Sequence, residues 1–254
     1  MMRLAGKIAV IVGAGQSPGE GIGNGRATVL RFAQEGAKIL AVDRELASAE
    51  ETAVLAAKSG GECVAFQADV TREATLGAAM AAAVERWGRI DILHNNVGVS
   101  IAGGDKPLDE LTEAAFDRVS AINLRGTIMA CKHVLPVMRR QGSGSIVNIS
   151  SVAAYENSYP LVAYKATNAA MIAFTGQLAL RNAPYGIPGD RARSAESGQP
   201  PNLRRKGQFS RVAHLPQVSS PSGAPPRPQR LGGALALHGP RKYVSTFFMS
   251  PANT

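Results

Sequence analysis

Short, unbroken apolar runs alternate through the first two thirds of this chain with longer stretches in which apolar residues recur every three or four positions. Ile8 to Val12 is β-branched or small throughout and lacks the polar alternation of a half-exposed strand, which predicts a parallel strand buried on both faces. Ala27 to Gly36 follows with helical spacing and a glycine stop, and Lys38-Ile-Leu-Ala-Val-Asp43 repeats the strand pattern. The same reading predicts a helix over 45–58, a strand over 63–69, a helix over 72–87 and a strand over 90–94. Beyond these, Leu108 to Arg139 reads as two helices, Gly144 to Ser150 as a fifth strand, and Tyr164 through Leu180 as a further helix. Strands alternating with helices predict a doubly wound parallel α/β sheet with helices on both faces.

The first strand runs directly into glycines at 13, 15, 19, 21, 23 and 25. Without Cβ atoms, backbone N–H groups there can approach a pyrophosphate closely, and a helix starting near Asn24 would turn its positive end toward that charge. Asp43 ends the second strand, where a carboxylate accepts hydrogen bonds from the ribose hydroxyls of NAD; a plain turn cap is its other reading. Arg44 could meet a 2′-phosphate, so NADP is disfavoured relative to NAD without being excluded. Asp69 and Val70 end the third strand beside the switch in strand order, where an adenine would lie, and Asp69 also suits a cap for a helix starting near Thr71.

Composition changes this picture in one place. The chain has 254 residues, 45% of them apolar, enough for one sizeable core. No stretch approaches 18 consecutive apolar residues and no signal peptide precedes the first strand, so a cytoplasmic protein without a membrane partner is expected. Cys63 and Cys131 read as small buried residues, and the four histidines lack paired ligand spacing, so no metal is expected. The net charge of +9 is unevenly spread: residues 1–181 carry 18 Lys and Arg against 17 Asp and Glu, whereas residues 182–254 carry 10 against 2, with 11 of the 15 prolines. The first part has an ordinary globular surface and the second is compositionally a different object.

The order of the glycine loop, Asp43, Asp69-Val70, Asn95-Asn96-Val97-Gly98, Asn123, Ser150-Ser151 and Tyr164 resembles the short-chain dehydrogenase/reductase family over about residues 5 to 187. Val97 stands where the family has alanine. The family's G-x-x-x-G-x-G spacing fits Gly15/Gly19/Gly21 or Gly19/Gly23/Gly25, the latter suiting the helix start. The resemblance implies a Rossmann-like fold, a nicotinamide cofactor, a small alcohol or carbonyl substrate, and assembly into homo-oligomers through the long helices. It implies cofactor contacts from Gly13, Gly19, Gly23, Gly25, Asp43, Asp69, Val70, Asn95 and Gly98. It also implies a catalytic group in which Ser151 hydrogen-bonds the substrate oxygen, Tyr164 exchanges the proton, and Asn123 kinks a helix and holds a water in a proton relay.

At the fourth residue after the tyrosine, where the family has a lysine that lowers the tyrosine pKa and binds the nicotinamide ribose, this chain has Asn168. Lys165 is no simple substitute, since the next residue of a helix is rotated by about 100° from its neighbour. An unassisted phenolate at pH 7 costs roughly 4 kcal/mol against an ordinary tyrosine pKa of about 10. Reduced activity is therefore expected, and a cofactor-binding protein with little catalysis is the reading from a different class. After Ile187 no strand, Pro-Gly turn or substrate loop of the family is recognisable beyond Pro188-Gly189. Residues 188–254 read as a basic, proline-rich tail beside the domain of residues 1–187, with order expected only for Leu231 to Leu237 and Tyr243 to Met249. A reading-frame slip after Ile187 would produce such a change. A nucleic-acid-binding tail is the weaker explanation, because aromatic residues are sparse among the charges.

Overall fold

The computed structural model describes residues 2–16 and 21–187 in full, and the backbone of residues 244–249. Gly19, Pro188-Gly189 and Leu231 to Leu237 lie outside the described residues.

Six strands form one parallel sheet: β1 (Ile8–Val12), β2 (Lys38–Asp43), β3 (Cys63–Gln67), β4 (Ile92–Asn95), β5 (Ser145–Ser151) and β6 (Val244–Met249), in spatial order β3-β2-β1-β4-β5-β6. The helices are α1 (Asn24–Gln34), α2 (Leu46–Lys58), α3 (Glu73–Trp87), α4 (Glu113–Ser120), α5 (Gly126–Gln141) and α6 (Val162–Asn182). After β3 the chain crosses back to the far side of β1, so the carboxyl ends of β1 and β4 diverge into a crevice, the usual ligand position in an open α/β sheet.

Every residue of β1 is buried, as its uninterrupted apolar sequence requires. Ala9, Ile11, Ile39 and Ala41 pack on Val29, Phe32 and Ala33 of α1 and Ala56 of α2. Val10, Val12, Leu40, Val42 and Leu93 point to the other face, against Leu76, Ala79 and Met80 of α3 and Val134 and Met138 of α5. Two layers of core thus hold the sheet rigid behind its carboxyl edge.

Several boundaries differ from the sequence reading. The third strand stops at Gln67, because Asp69 spends its carboxylate on Thr71: Oδ1 accepts from the Thr71 N–H and from its Oγ1, both at 2.8 Å. Asp69 therefore caps a turn, and α3 begins two residues after Thr71. α4 starts at Glu113 rather than Leu108, with the Thr112 hydroxyl accepting from the Ala115 N–H at 3.2 Å. Asn123, expected inside the second helix and at a kink in it, occupies a π-helical turn, Ala121–Arg125, between α4 and α5, so the interruption is where the resemblance implied it and α5 starts only at Gly126. The sixth strand comes from the stretch Tyr243 to Met249 and runs parallel to β5, from Ile146 opposite Val244 to Ser151 opposite Met249.

Candidate active site

The glycine loop is shaped by backbone demands. Gly13 has φ +84°, a left-handed conformation that disfavours any side chain, and a Cβ there would lie 2.8 Å from Val97 Cγ2. A Cβ on Gly25 would collide with the Gly13 carbonyl oxygen, so only glycine lets α1 start against the end of β1. Gly23 occupies the cap position of α1 and donates its N–H to Gln16 Oε1 at 2.7 Å, while Gln16 Nε2 donates to the Gly21 carbonyl at 2.8 Å. Gln16, absent from the sequence-based set, thus bridges the loop. Arg26, buried behind it, ties α1 to α2 through Thr52 Oγ1 at 3.0 Å and Glu51 Oε2 at 2.6 Å.

Asp43 closes this cradle from the end of β2. Its Oδ2 accepts from the Gly15 N–H at 2.8 Å and its Oδ1 from the Glu45 N–H at 3.1 Å. A carboxylate at a strand end facing the loop, with a helix N-terminus opposite, suits a dinucleotide: one part meets hydroxyls and the other a pyrophosphate. Burial pushes the Asp69 carboxyl up, but its bonds to Thr71 and the nearby Arg44 and Arg72 outweigh this and hold it below the ordinary range. Val70 packs under Gly126 at the start of α5, where a Cβ would lie 2.8 Å from Val70 Cβ.

A cavity of about 110 Å3 opens at the carboxyl ends of β4 and β5. Its walls come from Asn96 to Gly98 after β4, Asn123 from the π turn, Ile149 and Ser150 from β5, and Tyr164, Thr167, Asn168 and Met171 from α6. Asn123 is buried and spends its amide on the loop after β4: Oδ1 accepts from the Val99 N–H at 2.8 Å and Nδ2 donates to the Val99 carbonyl at 2.9 Å. Asn168 lies on the Tyr164 side of α6, donating Nδ2 to the Tyr164 carbonyl at 2.9 Å. Its own carbonyl accepts from Ser150 Oγ at 3.1 Å.

Ser151 is buried next along β5, its Oγ accepting from the Ala153 N–H at 3.2 Å. Lys165 turns away from the cavity and donates to the carbonyls of Ala153, at 3.1 Å, and Glu156, at 2.6 Å. Tyr159 stacks obliquely on Tyr164, ring centroids 5.8 Å apart, with its hydroxyl 3.4 Å from Ser100 Oγ. Burial raises the Tyr159 pKa, and the nearby Tyr164 and Asp105 add to the rise against the opposing bond from Ser100.

Asn95 is placed differently from its neighbour. Asn96 lines the cavity and donates to the Gly13 carbonyl at 3.2 Å, whereas Asn95 turns inward and donates to Asn148 Oδ1 at 2.9 Å. Asn148 Nδ2 in turn donates to Thr175 Oγ1 on α6 at 3.0 Å. Cys131 lies beside this ladder, where burial pushes its thiol up to about 12. Gly98 lines the cavity. Asn96 and Ser150, quoted in the motifs but given no role, and Thr167, not singled out, line the cavity; the strand period, which sends neighbours to opposite faces, separates Ser150 from Ser151 but does not say which one meets the cavity.

This arrangement joins a glycine loop closed by Asp43 to a small polar cavity that presents a tyrosine. Residues 7–188 match the short chain dehydrogenase family. The chain belongs to that family. It is 37% identical over 187 residues to levodione reductase of Leifsonia aquatica, covering 73% of this chain and 67% of that protein. It is 35% identical over 182 residues to 2-(R)-hydroxypropyl-CoM dehydrogenase of Xanthobacter autotrophicus, covering 71% and 70%. Among solved structures, 7α-hydroxysteroid dehydrogenase complexed with NADH and 7-oxo glycochenodeoxycholic acid superposes with a TM-score of 0.66 at 30% identity, covering 72% of this chain and 68% of that one. This short-chain dehydrogenase is accordingly an NAD(P)-dependent oxidoreductase acting on an alcohol or carbonyl group, and the comparisons favour that reading over a non-catalytic cofactor binder. No helix among the described residues is long and apolar enough to cross a membrane, and these residues hold no cluster of three metal-ligating side chains.

Proposed function

We propose that the enzyme prefers NAD over NADP and exchanges the substrate proton through Tyr164. The observation that carries the reading is the convergence of Tyr164, Asn168 and Asn123 on one cavity at the sheet's carboxyl edge, adjoining the loop that Asp43 closes. The bound nicotinamide supplies the hydride chemistry. Asp43 accepts hydrogen bonds from ribose hydroxyls, and Gly13, Gly23 and Gly25 bring the loop and the N-terminus of α1 together where the pyrophosphate binds, with Gly19, outside the described residues, proposed from the sequence alone as a further contact. Asp69, Val70, Asn95 and Gly98 shape the remaining cofactor surface, Asn95 through the core rather than by contact.

Ser151 hydrogen-bonds the substrate oxygen and Tyr164 gives or takes its proton. Asn168 hydrogen-bonds the nicotinamide ribose but carries no formal charge, so the tyrosine lacks the electrostatic help a lysine would give. Asn123 holds the loop after β4 and a relay water beside the π turn. We propose also that residues 1–187 make up the cofactor-binding domain, which β6 completes at the edge of the sheet beyond β5, so that the expected separate tail over 188–254 does not hold for residues 244–249, and that the enzyme is a cytoplasmic homo-oligomer. Free Cys63 and Cys131 support a reducing compartment. A groove beside Leu124, Ile128 and Met129 on α5 and the π turn supports helix-mediated assembly.

Titration of the purified protein with NADH and, separately, NADPH, followed by nicotinamide fluorescence, tests the cofactor reading. Tighter NADH binding is expected. Tighter NADPH binding overturns the role of Asp43, and binding of neither overturns the cradle.

A further inference from the structure

Leu161, at the cap position of α6, has no polar side chain, yet the opening N–H groups of this helix have partners on two residues more than 50 positions away. The Val162 N–H donates to the Lys106 carbonyl at 3.4 Å. The Ala163 N–H donates to Asp105 Oδ1 at 3.0 Å and the Tyr164 N–H to Asp105 Oδ2 at 2.7 Å. Oδ1 also accepts from the Lys106 N–H at 3.0 Å. Asp105 is only 1% exposed, and a carboxylate buried there is matched by these donors and by the positive end of α6.

The chain is built to deliver it. Gly104 has φ +89°, and a Cβ on Gly103 would lie within 3.0 Å of Val99 and Val119, so two glycines fold the turn tightly. The Asp105 N–H then donates to the Ser100 carbonyl at 3.2 Å, next to Val99, which Asn123 holds with both ends of its amide. Asn123 is therefore linked by hydrogen bonds to Val99, and through the next residue, Ser100, to Asp105 and the backbone of Tyr164. On the other side of the tyrosine, Lys165 grips the segment whose Ala153 N–H meets Ser151 Oγ.

We infer that Asp105 is a positioning residue for Tyr164, fixing the first turn of α6 so that the phenol holds its place in the cavity. The inference rests on the proposed role of Tyr164. Helix ends fray because their first N–H groups lack intrahelical partners, and the hydroxyl rides at the tip of a long side chain on that turn. A displacement of about 1 Å at a reacting group costs on the order of a hundredfold in rate.

The test compares the parent with Asp105→Asn, each also carrying Asn168→Lys, using NADH and the fastest ketone of a panel that includes cyclohexanone. Asparagine keeps the size but offers one acceptor oxygen, and its NH2 group faces a backbone donor. The expected result is a fall in kcat of about tenfold to a hundredfold, with KM and NADH affinity little changed. Hydrogen exchange at the amides of Ala163 and Tyr164 should speed up while β1 amides keep their protection. Leu161→Ser in the Asp105→Asn background, by supplying a local cap, should restore part of kcat. Unchanged kcat despite faster exchange would make the cap merely structural and overturn the inference, leaving Tyr164's role intact. Loss of β1 protection in both Asp105→Asn and its Leu161→Ser partner would also overturn it, by showing a role in the whole fold. Tight NADH binding without turnover in the parent and in Asn168→Lys would remove the proposed role of Tyr164 and this inference with it.

Discussion

The cradle at β1 and the cavity at α6 meet across β4 but are built in different materials. In the cradle the working groups are backbone: Gly13 and Gly25 matter for what they lack, and the elements involved adjoin in sequence. At the cavity the working groups are side chains drawn from the end of β4, the π turn, β5 and α6, and each needs an anchor of its own. A backbone site fails when an atom is added, and a side-chain site fails when one is removed or displaced. The described glycines of the cradle, Gly13 and Gly25, meet that criterion, and in the cavity the position proposed to matter is Asn168.

The sharpest separation of the two regions comes from removing one oxygen. Tyr164→Phe should lower kcat by about a thousandfold while NADH fluorescence titrates as in the parent; a parallel loss of NADH binding would mean that the regions are not separable. The converse change adds atoms to the cradle. Gly25→Val should destabilise the fold by about 3 kcal/mol and abolish NADH binding, read from urea midpoints and fluorescence, because the new side chain meets the Gly13 carbonyl.

Acid probes the strand between them, where His94 pairs with Ile11 on one side and Val147 on the other. Burial pushes the His94 pKa down to about 4. The unfolded chain, with an ordinary histidine pKa near 6.5, binds this proton first as the pH falls. Stability should therefore be complete above pH 6.5 and decline toward pH 4 by up to about 3 kcal/mol, and His94→Leu should flatten urea midpoints measured over that range. Asn168→Lys is the smallest expected effect and the most direct repair of the cavity. It should raise kcat by about tenfold with NADH affinity equal or better, and unchanged or lower turnover would show that the site does not depend on a charge there.

The difference between the regions also explains what could be read without a structure. Strand β1, the glycines, Asp43 and the parallel sheet follow from local pattern, because backbone geometry leaves compositional marks within a few residues. Tyr164 and Asn168 were legible through the family resemblance, from the distance between Ser151 and Tyr164 and the fourth residue after the tyrosine. Asp105 was not, since an aspartate after two glycines looks like any turn, and its partners lie more than 50 positions away. The interruption at Asn123 was expected only through the resemblance, because a π turn has the same composition as its flanks. Strand β6 showed its apolar character, but its place beside β5 follows from no local signal.

The ladder from Asn95 through Asn148 to Thr175 works as a key for register. Asn95 and Asn148 are direct partners across β4 and β5, so a slip of one position would send Asn148 to the opposite face and strand buried amides on both sides. Thr175, two turns beyond Asn168, also bonds its own helix through the Met171 carbonyl at 2.8 Å. The address of α6 is thus written in its middle, apart from the cavity-lining Tyr164 and Asn168 of its opening turns. Exchange of the side chain at 168 should therefore leave the helix where it is, held by Thr175 from within the core.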